Sequence, residues 1–381
     1  MAMSGEKLSR RSILTAGVAG VVGLGVGFGG GFLARPSEQT VRTVEVTRTV
    51  GGATVTQTLT QSQIDLARRE QTVVIYGVID IPDFENVMKP AFLRLYPWAK
   101  VEYVGLSPSE IVSKSLAEYR AGRVAADVIW NTLGSTLPIV KEGVIEKFDN
   151  PMIGLMSYAE GAYDPEKYWH PMSGLPILLN YNTNLVSREN IPKSYEDLTK
   201  PEFKGKIAID RPSLNNVAGT LFAHLYTVLG EQKWRSLMQG IAANQPIFTD
   251  SASASFTKVA TGEAAVGIGL LHDYLGNRGK VPVEIGWAEP VAALPVPLFL
   301  PRNAPHPNMG QLFIQWATSA DGLLSLAKTG RTPLHHILAS YTLPPGLLPT
   351  GATLEVAALK NPDYYTDPTK WADLYRSIFG V

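Results

Sequence analysis

Cysteine is absent from the 381 residues. Disulfides, thiolate metal sites, cysteine nucleophiles and a lipid anchor on an N-terminal cysteine are therefore excluded. A surplus of charge of one sign is also absent: Lys and Arg number 34, Asp and Glu 34, and the formal net charge is zero. This excludes a general nucleic-acid binder, which needs a basic surplus to displace counterions from phosphate. Charged residues make up only 18% and hydrophobic residues 45%, the balance of a folded chain rather than a disordered one. No Gly-x-Ser-x-Gly elbow, His-Glu-x-x-His or P-loop occurs, so the chain is not itself an ATPase. His335-His336 has no partner at metal-ligand spacing, and adjacent residues do not share a helix face.

What is present begins with an address. Lys7-Leu8-Ser9-Arg10-Arg11-Ser12 precedes an apolar run from Ile13 to Ala34, the order of an export signal. Arg10-Arg11 before Ser12-Ile13-Leu14 resembles the twin-arginine signal that exports folded proteins; a general secretory flank with two arginines is the alternative. Cleavage after Ala34 and retention as a membrane anchor both fit a run of this length. Basic charge ahead of it keeps the N-terminus inside and the remainder outside. Gly25 to Gly30 spells the dinucleotide fingerprint by letters, but it lies inside the signal with no strand before it and no acidic residue placed after it.

Residues 35–65 are rich in Thr, Val and Gln with few large apolar side chains, and read as a stalk of 35–65 behind the signal of 1–34. Their Thr-Val alternation admits a strand instead. Beyond them strands and helices alternate. Gln71–Val78, Ala99–Val104 and Ala126–Trp130 read as strands, and Pro82–Tyr96, Ser107–Ala121 and Leu133–Glu142 as helices. A second block follows, with strands at Pro176–Tyr181, Lys206–Ile209 and Ala264–Leu270 and helices at Asn215–Leu229 and Ser253–Thr261. Such alternation implies crossover units and mainly parallel sheets flanked by helices, an α/β class. Pro295 and Pro297 argue that Val291–Leu300 is a crossing or edge segment, not a central strand. The chain then divides into a first lobe of 66–180 plus 292–381 and a second of 181–291, with two hinge crossings between. The Pro-punctuated tail is expected on the first lobe.

Several stretches resemble one family, the type II solute-binding proteins of ABC importers, in the branch that includes ferric-iron, thiamine, polyamine and phosphonate receptors. They are Ala125–Trp130; Pro192-Lys193-Ser194-Tyr195-Glu196-Asp197-Leu198 followed by Pro201-Glu202-Phe203-Lys204-Gly205-Lys206-Ile207, where Tyr195 replaces the usual Trp; and Thr249–Ser253 with Val259–Ile268. They run in family order from about Thr72 to Pro333. The resemblance implies the two-lobed type II periplasmic-binding-protein fold, a ligand cleft between the lobes, and no catalysis. It also implies an ABC permease with its ATPase subunit as partners, and a periplasmic or extracellular place, tethered or free.

Four turns with small hydroxyl or amide side chains sit where strands enter helices: Ser107 and Ser109, Asn131 and Thr132, Arg211 and Ser213, Thr249 and Ser251. Helix N-termini carry free N–H groups and positive potential, so these are candidate ligand contacts; each also reads as an ordinary helix cap. Tyr76 at the end of the first strand is a candidate for the cleft wall or for the core, and Trp130 for stacking or for the core. In the iron branch a tyrosine pair follows the strand matching Ala264–Leu270; here that place reads Leu271-His272-Asp273-Tyr274. The resemblance thus makes His272, Asp273 and Tyr274 candidate ligands should a metal be the cargo, with ferric iron one candidate, and no resident cofactor. Tyr274 equally fits a core position. Asp80 and Asp83 can draw a cation, although Asp83 also fits a helix start. The alternative function is an exported enzyme on the same fold, using His272 with Asp273, or His170 beside Tyr168-Trp169. A surface or structural role rests only on the stalk and signal.

Overall fold

β-branched residues alternate through residues 43–60, and they pair as an antiparallel hairpin, β1 (Thr43–Val50) with β2 (Ala53–Thr60). Of the two readings of this stretch, the structure adopts the strand. The structure, a computed structural model, describes residues 43–50, 53–155, 163–213, 216–334, 354–356 and 367–380. The export segment of residues 1–34 and the His335-His336 pair lie outside the described residues. After the hairpin a helix, Gln61–Glu70, buries Ile64 and Ala67 in the first core. Its last residue anchors it: the Glu70 carboxylate accepts the Met309 N–H at 2.8 Å.

The first half is built on three parallel strands. Apolar β-branched stretches form β3 (Thr72–Gly77), β4 (Lys100–Gly105) and β5 (Val128–Trp130), ordered β4-β3-β5. Helical segments follow each strand: Ile81–Asp83 continuing through a π turn (Phe84–Met88) into Lys89–Leu95, then Pro108–Arg120, then Leu133–Lys141. Asp127, fully buried, ties this layer together. Its carboxylate accepts the N–H groups of Val74 at 2.8 Å and His306 at 2.7 Å.

Short strand β6 (Ile145–Glu146) precedes the long β7 (Trp169–Asn182). The second half repeats the first: β8 (Ile207–Asp210), β9 (Ile247–Thr249) and β10 (Val266–Leu270) run parallel in the order β10-β8-β9. The helices Val217–Leu229, Glu231–Ala243, Ala252–Ala260 and Leu271–Asn277 flank them. Then come β11 (Val283–Gly286), β12 (Val291–Pro301) and the helices Pro307–Ala317 and Ala320–Ala327. Short strands β13 (Thr332–Pro333) and β14 (Leu354–Val356) follow, and the helix Pro368–Phe379 is last.

Two strands belong to both halves. β7 pairs with β12 from Trp169 to Pro176, and with β10 and β11 from Ile177 onward. β12 pairs with β14 through Val291–Ala293, with β7 through Ala293–Phe299 and with β5 through Leu298–Phe299. The apolar cores divide accordingly. Phe84, Phe92, Phe313 and Trp316 gather on one side, and Phe222, Trp234, Leu237 and Ile268 on the other.

Two expectations fail. β12 lies between β5 and β7 and is buried along its whole length, so it is a central strand despite its prolines. The register shifts between Val296 and Leu298, which places Pro297 where the ladder needs no N–H, and its carbonyl accepts from Asn131 N–H at 3.3 Å. The terminal helix packs on the second half, not the first. Trp371 and Tyr375 are buried with Phe222 and Trp234, and the Tyr375 hydroxyl donates to the Gly219 carbonyl at 2.6 Å.

Candidate functional site

At the C-terminal end of β3 the chain turns through Val78–Asp83, and tertiary contacts hold the turn. Tyr103 on β4 donates its hydroxyl to the Ile79 carbonyl at 2.6 Å and stacks on Phe84 at 4.0 Å between ring centroids. Residue 77 must be glycine, because a Cβ there would lie 2.6 Å from the Tyr103 ring. The β4 turn is fixed by a capping box. Ser107 N–H and Oγ both donate to Glu110, at 2.8 and 2.6 Å, and Glu110 N–H returns to Ser107 Oγ. Ser109 Oγ stands 3.4 Å from Ser107 Oγ. Between these turns lies a cavity of about 370 Å³, lined by Asp80, Ile81, Leu106, Ser107 and Glu110 among others. It opens beyond the carboxyl ends of parallel strands, where α/β sheets take ligands.

Asn131 and Thr132 are buried. Asn131 donates to the Pro108 carbonyl at 3.2 Å, so it joins the two turns, and Thr132 bonds Ser135 at 2.9 Å. They shape the wall rather than line it. Tyr76 is a core residue: its hydroxyl donates to Glu118 at 2.9 Å, and burial with that carboxylate raises its pKa. Trp130 is fully buried, so its place is in the core.

In the second half the expected anion sites are already occupied. Asp210, buried at the end of β8, accepts the N–H groups of Val217 and Ala218 at 3.0 Å each, and Asn216 caps Gly219 at 2.9 Å. A carboxylate thus fills the helix N-terminus that Ser213 and Arg211 were expected to open to a ligand. Desolvation pushes Asp210 up to about 6 in spite of the N–H bonds it accepts. Ser213 and Arg211 are exposed beside it, with the Arg211 guanidinium over the Phe248 ring at 5.6 Å. Ser251 caps its helix through the Ala254 N–H at 3.1 Å, and Thr249 is buried against Ser255 at 2.6 Å.

Two of the three candidate metal ligands, Tyr274 and Asp273, have hydrogen-bond partners within the protein. Tyr274 is buried and donates to Glu284 at 2.7 Å; burial and that carboxylate lift it to about 12. Asp273 accepts from Ser253 Oγ at 3.0 Å, and His272 Nε2 lies 3.5 Å from Asp273 Oδ1. Among the described residues no group of three His, Asp or Glu side chains is arranged to hold a metal ion.

The residues that do face one another come from distant parts of the chain. Arg331, almost buried just ahead of β13, donates to Asp80 at 3.0 Å and to Asp83. His272, on the second half, is held below its ordinary pKa first by burial; Asp273 opposes this, Arg331 adds to it, and Asp80 and Asp83 oppose it. His272 Nδ1 is buried with no hydrogen-bond partner. Asp80, Asp83 and Arg331 thus form one charged group at the β3 turn, and His272 with Asp273 a second one after β10. Sequence reasoning missed Arg331, whose partners lie 248 and 251 residues away.

The model of the bacterial extracellular solute-binding protein family matches residues 134–350. The chain belongs to this family. Its members are the solute receptors of ABC importers, and their place is outside the cytoplasm. Among similar proteins, a probable ABC transporter periplasmic-binding protein of Sinorhizobium fredii is 23% identical over 292 residues, 71% of this chain and 74% of that one. An uncharacterized protein of Haemophilus influenzae is 30% identical over 140 residues, 35% of this chain, and the match spans 39% of its own length. Among solved structures, iron-bound HitA of Pseudomonas aeruginosa superposes with a TM-score of 0.65 at 15% identity, covering 81% of this chain and 99% of that one. AfuA of Actinobacillus pleuropneumoniae, with fructose-6-phosphate bound, gives 0.66 at 21% identity over the same shares. These likenesses show the two-lobed fold. No helix among the described residues is long and apolar enough to cross a membrane.

Proposed function

We propose that this solute-binding protein captures a small polar solute bearing positive charge between its lobes and delivers it to a membrane permease driven by a separate ATPase subunit. The observation that carries the reading is the pair of charged groups, which would form the two walls of the cleft. Asp80, Asp83 and Asp273 outnumber the single guanidinium of Arg331, and His272 is neutral at ordinary pH. Opposite charge in a partly desolvated gap favours a cation and disfavours a phosphate or carboxylate. Cleft closure would follow bending where β7 and β12 pass between the cores.

A role without turnover fits the same geometry. Neither candidate acid–base pair is set for proton transfer. His272 and Asp273 are too far apart for a hydrogen bond, and His170 is buried with Nε2 unpartnered and its pKa pushed down to about 3 by desolvation. Residues 1–34 would export the protein and either leave it or hold it at the outer membrane face. Replacing Arg10 and Arg11 by lysine is then expected to trap the precursor inside the cell, as fractionation would show.

Thermal unfolding of the full chain with metal cations, amines, thiamine, phosphonates and sulfate tests the reading. A cation at 100 times its dissociation constant adds about 2.7 kcal/mol. Stabilisation by anions alone would overturn the cation, no stabilisation by any compound would overturn the receptor, and conversion of a compound would replace it with an enzyme.

A further inference from the structure

Arg331 is the one feature of the gap that the receptor reading leaves unused. It stands just before β13, the strand that pairs Thr332 with Gly174 and Pro333 with Ser173 on β7, so its backbone belongs to the hinge rather than to either wall. Its side chain is 11% exposed and reaches the first-lobe turn, where Nη2 meets Asp80 at 3.0 Å and Nη1 meets Asp83 and, at 3.4 Å, the Thr329 hydroxyl. A guanidinium so placed does to these two carboxylates what a bound cation would do. Asp80 also lines the 370 Å³ cavity, whose other charged lining residue is Glu110. The cavity and the tethered guanidinium meet at Asp80, which lines the one and pairs with the other.

We infer that Arg331 is an internal competitor of the solute: its guanidinium occupies Asp80 and Asp83 in the empty cleft, and a cationic ligand must displace or share it. This rests on the cation reading above. The arrangement sets affinity and selectivity together. A solute with one weakly held charge fails to displace a chelated arginine, whereas one with two charges, or a compact multivalent cation, engages both carboxylates at once. Because Arg331 sits at the hinge, its release also frees the β3 turn to follow the closing lobe.

The test compares the full chain with Arg331→Gln, Arg331→Lys and Asp83→Asn by calorimetric titration, with putrescine and calcium as probes and phosphate as the anionic control. Arg331→Gln is expected to bind whichever cation binds the natural protein about tenfold more tightly. Arg331→Lys should restore affinity toward that of the natural protein, and Asp83→Asn should weaken binding. Arg331→Gln with lowered thermal stability but unchanged cation affinity and selectivity would make Arg331 a structural strut and overturn the competitor role. Cation binding by none of the four proteins at millimolar probe would overturn it as well. Phosphate binding that Arg331→Gln abolishes would reverse the sign of the ligand and overturn this inference while leaving the receptor reading standing.

Discussion

Burying a carboxylate costs free energy unless its charge is matched, and Asp210 is matched only by backbone N–H groups at the mouth of the helix Val217–Leu229. Its pKa rises from 3.8 to about 6. The folded state therefore holds this proton more tightly than the unfolded chain. The stabilisation is complete below the unfolded value and is lost as pH rises from 3.8 through about 6. The difference corresponds to about 3 kcal/mol. Asp210→Asn is expected to remove this slope, so urea unfolding of the variant should show a smaller loss of stability across that window than the natural protein. A slope identical in both would move the titration to another group.

The same residue explains why the site was only half legible. Asp210-Arg211-Pro212-Ser213 reads as a polar turn ahead of a helix, and it is one; whether its donors are free depends on a side chain folding back seven and eight residues. Serine at a helix start uses one oxygen to accept N–H whether it caps or binds, so Ser107 and Ser251 carry no sign of their role in sequence alone. Gly77 and Arg331 are the opposite case. Each is set by a contact from elsewhere, the Tyr103 ring and the paired Asp80 and Asp83, and no local pattern announces it.

At the scale of elements, periodicity served well where burial was one-sided. β3, β4, β5 and β10 and the helices Pro108–Arg120 and Ala252–Ala260 stand within a few residues of their expected spans. The helix Glu231–Ala243 escaped notice, although Trp234, Leu237, Met238 and Ile241 follow a 3.6-residue period. The central position of β12 was missed for a different reason, since the prolines that suggested a crossing or edge segment are accommodated by a register shift that only the paired strand reveals. The terminal helix shows how much a late element can contribute. Trp371 is fully buried among Tyr226, Trp234 and Tyr375, with edge-on ring contacts to the first two. Trp371→Ala is expected to cost about 3–5 kcal/mol of stability. Tyr375→Phe, which removes the hydrogen bond to the Gly219 carbonyl, should cost about 0.5–1.5 kcal/mol. Denaturant titration reads both. Values near zero would mean that the helix leaves the second lobe in solution.

For the whole molecule, the decisive property is that two separate apolar cores share two strands. Strands β7 and β12 run through both, and the chain returns beside β12 at β14 before ending on the second core. A solute held only by the first wall would gain nothing from lobe movement; one held by both pulls them together, and its binding free energy includes the closure. The two walls can be separated experimentally, because Asp80 belongs to the first and Asp273 to the second, and neither is part of an apolar core. With a cation that stabilises the natural protein, Asp80→Asn and Asp273→Asn are each expected to weaken binding, Asp273→Asn the more, since the Asp273 side chain is 15% exposed and that of Asp80 76%. Small-angle scattering should show a smaller decrease in radius on ligand addition for both variants. A site confined to one lobe behaves differently: the variant on the opposite wall binds as tightly as the natural protein, the radius does not change, and two cores become two neighbours rather than one receptor.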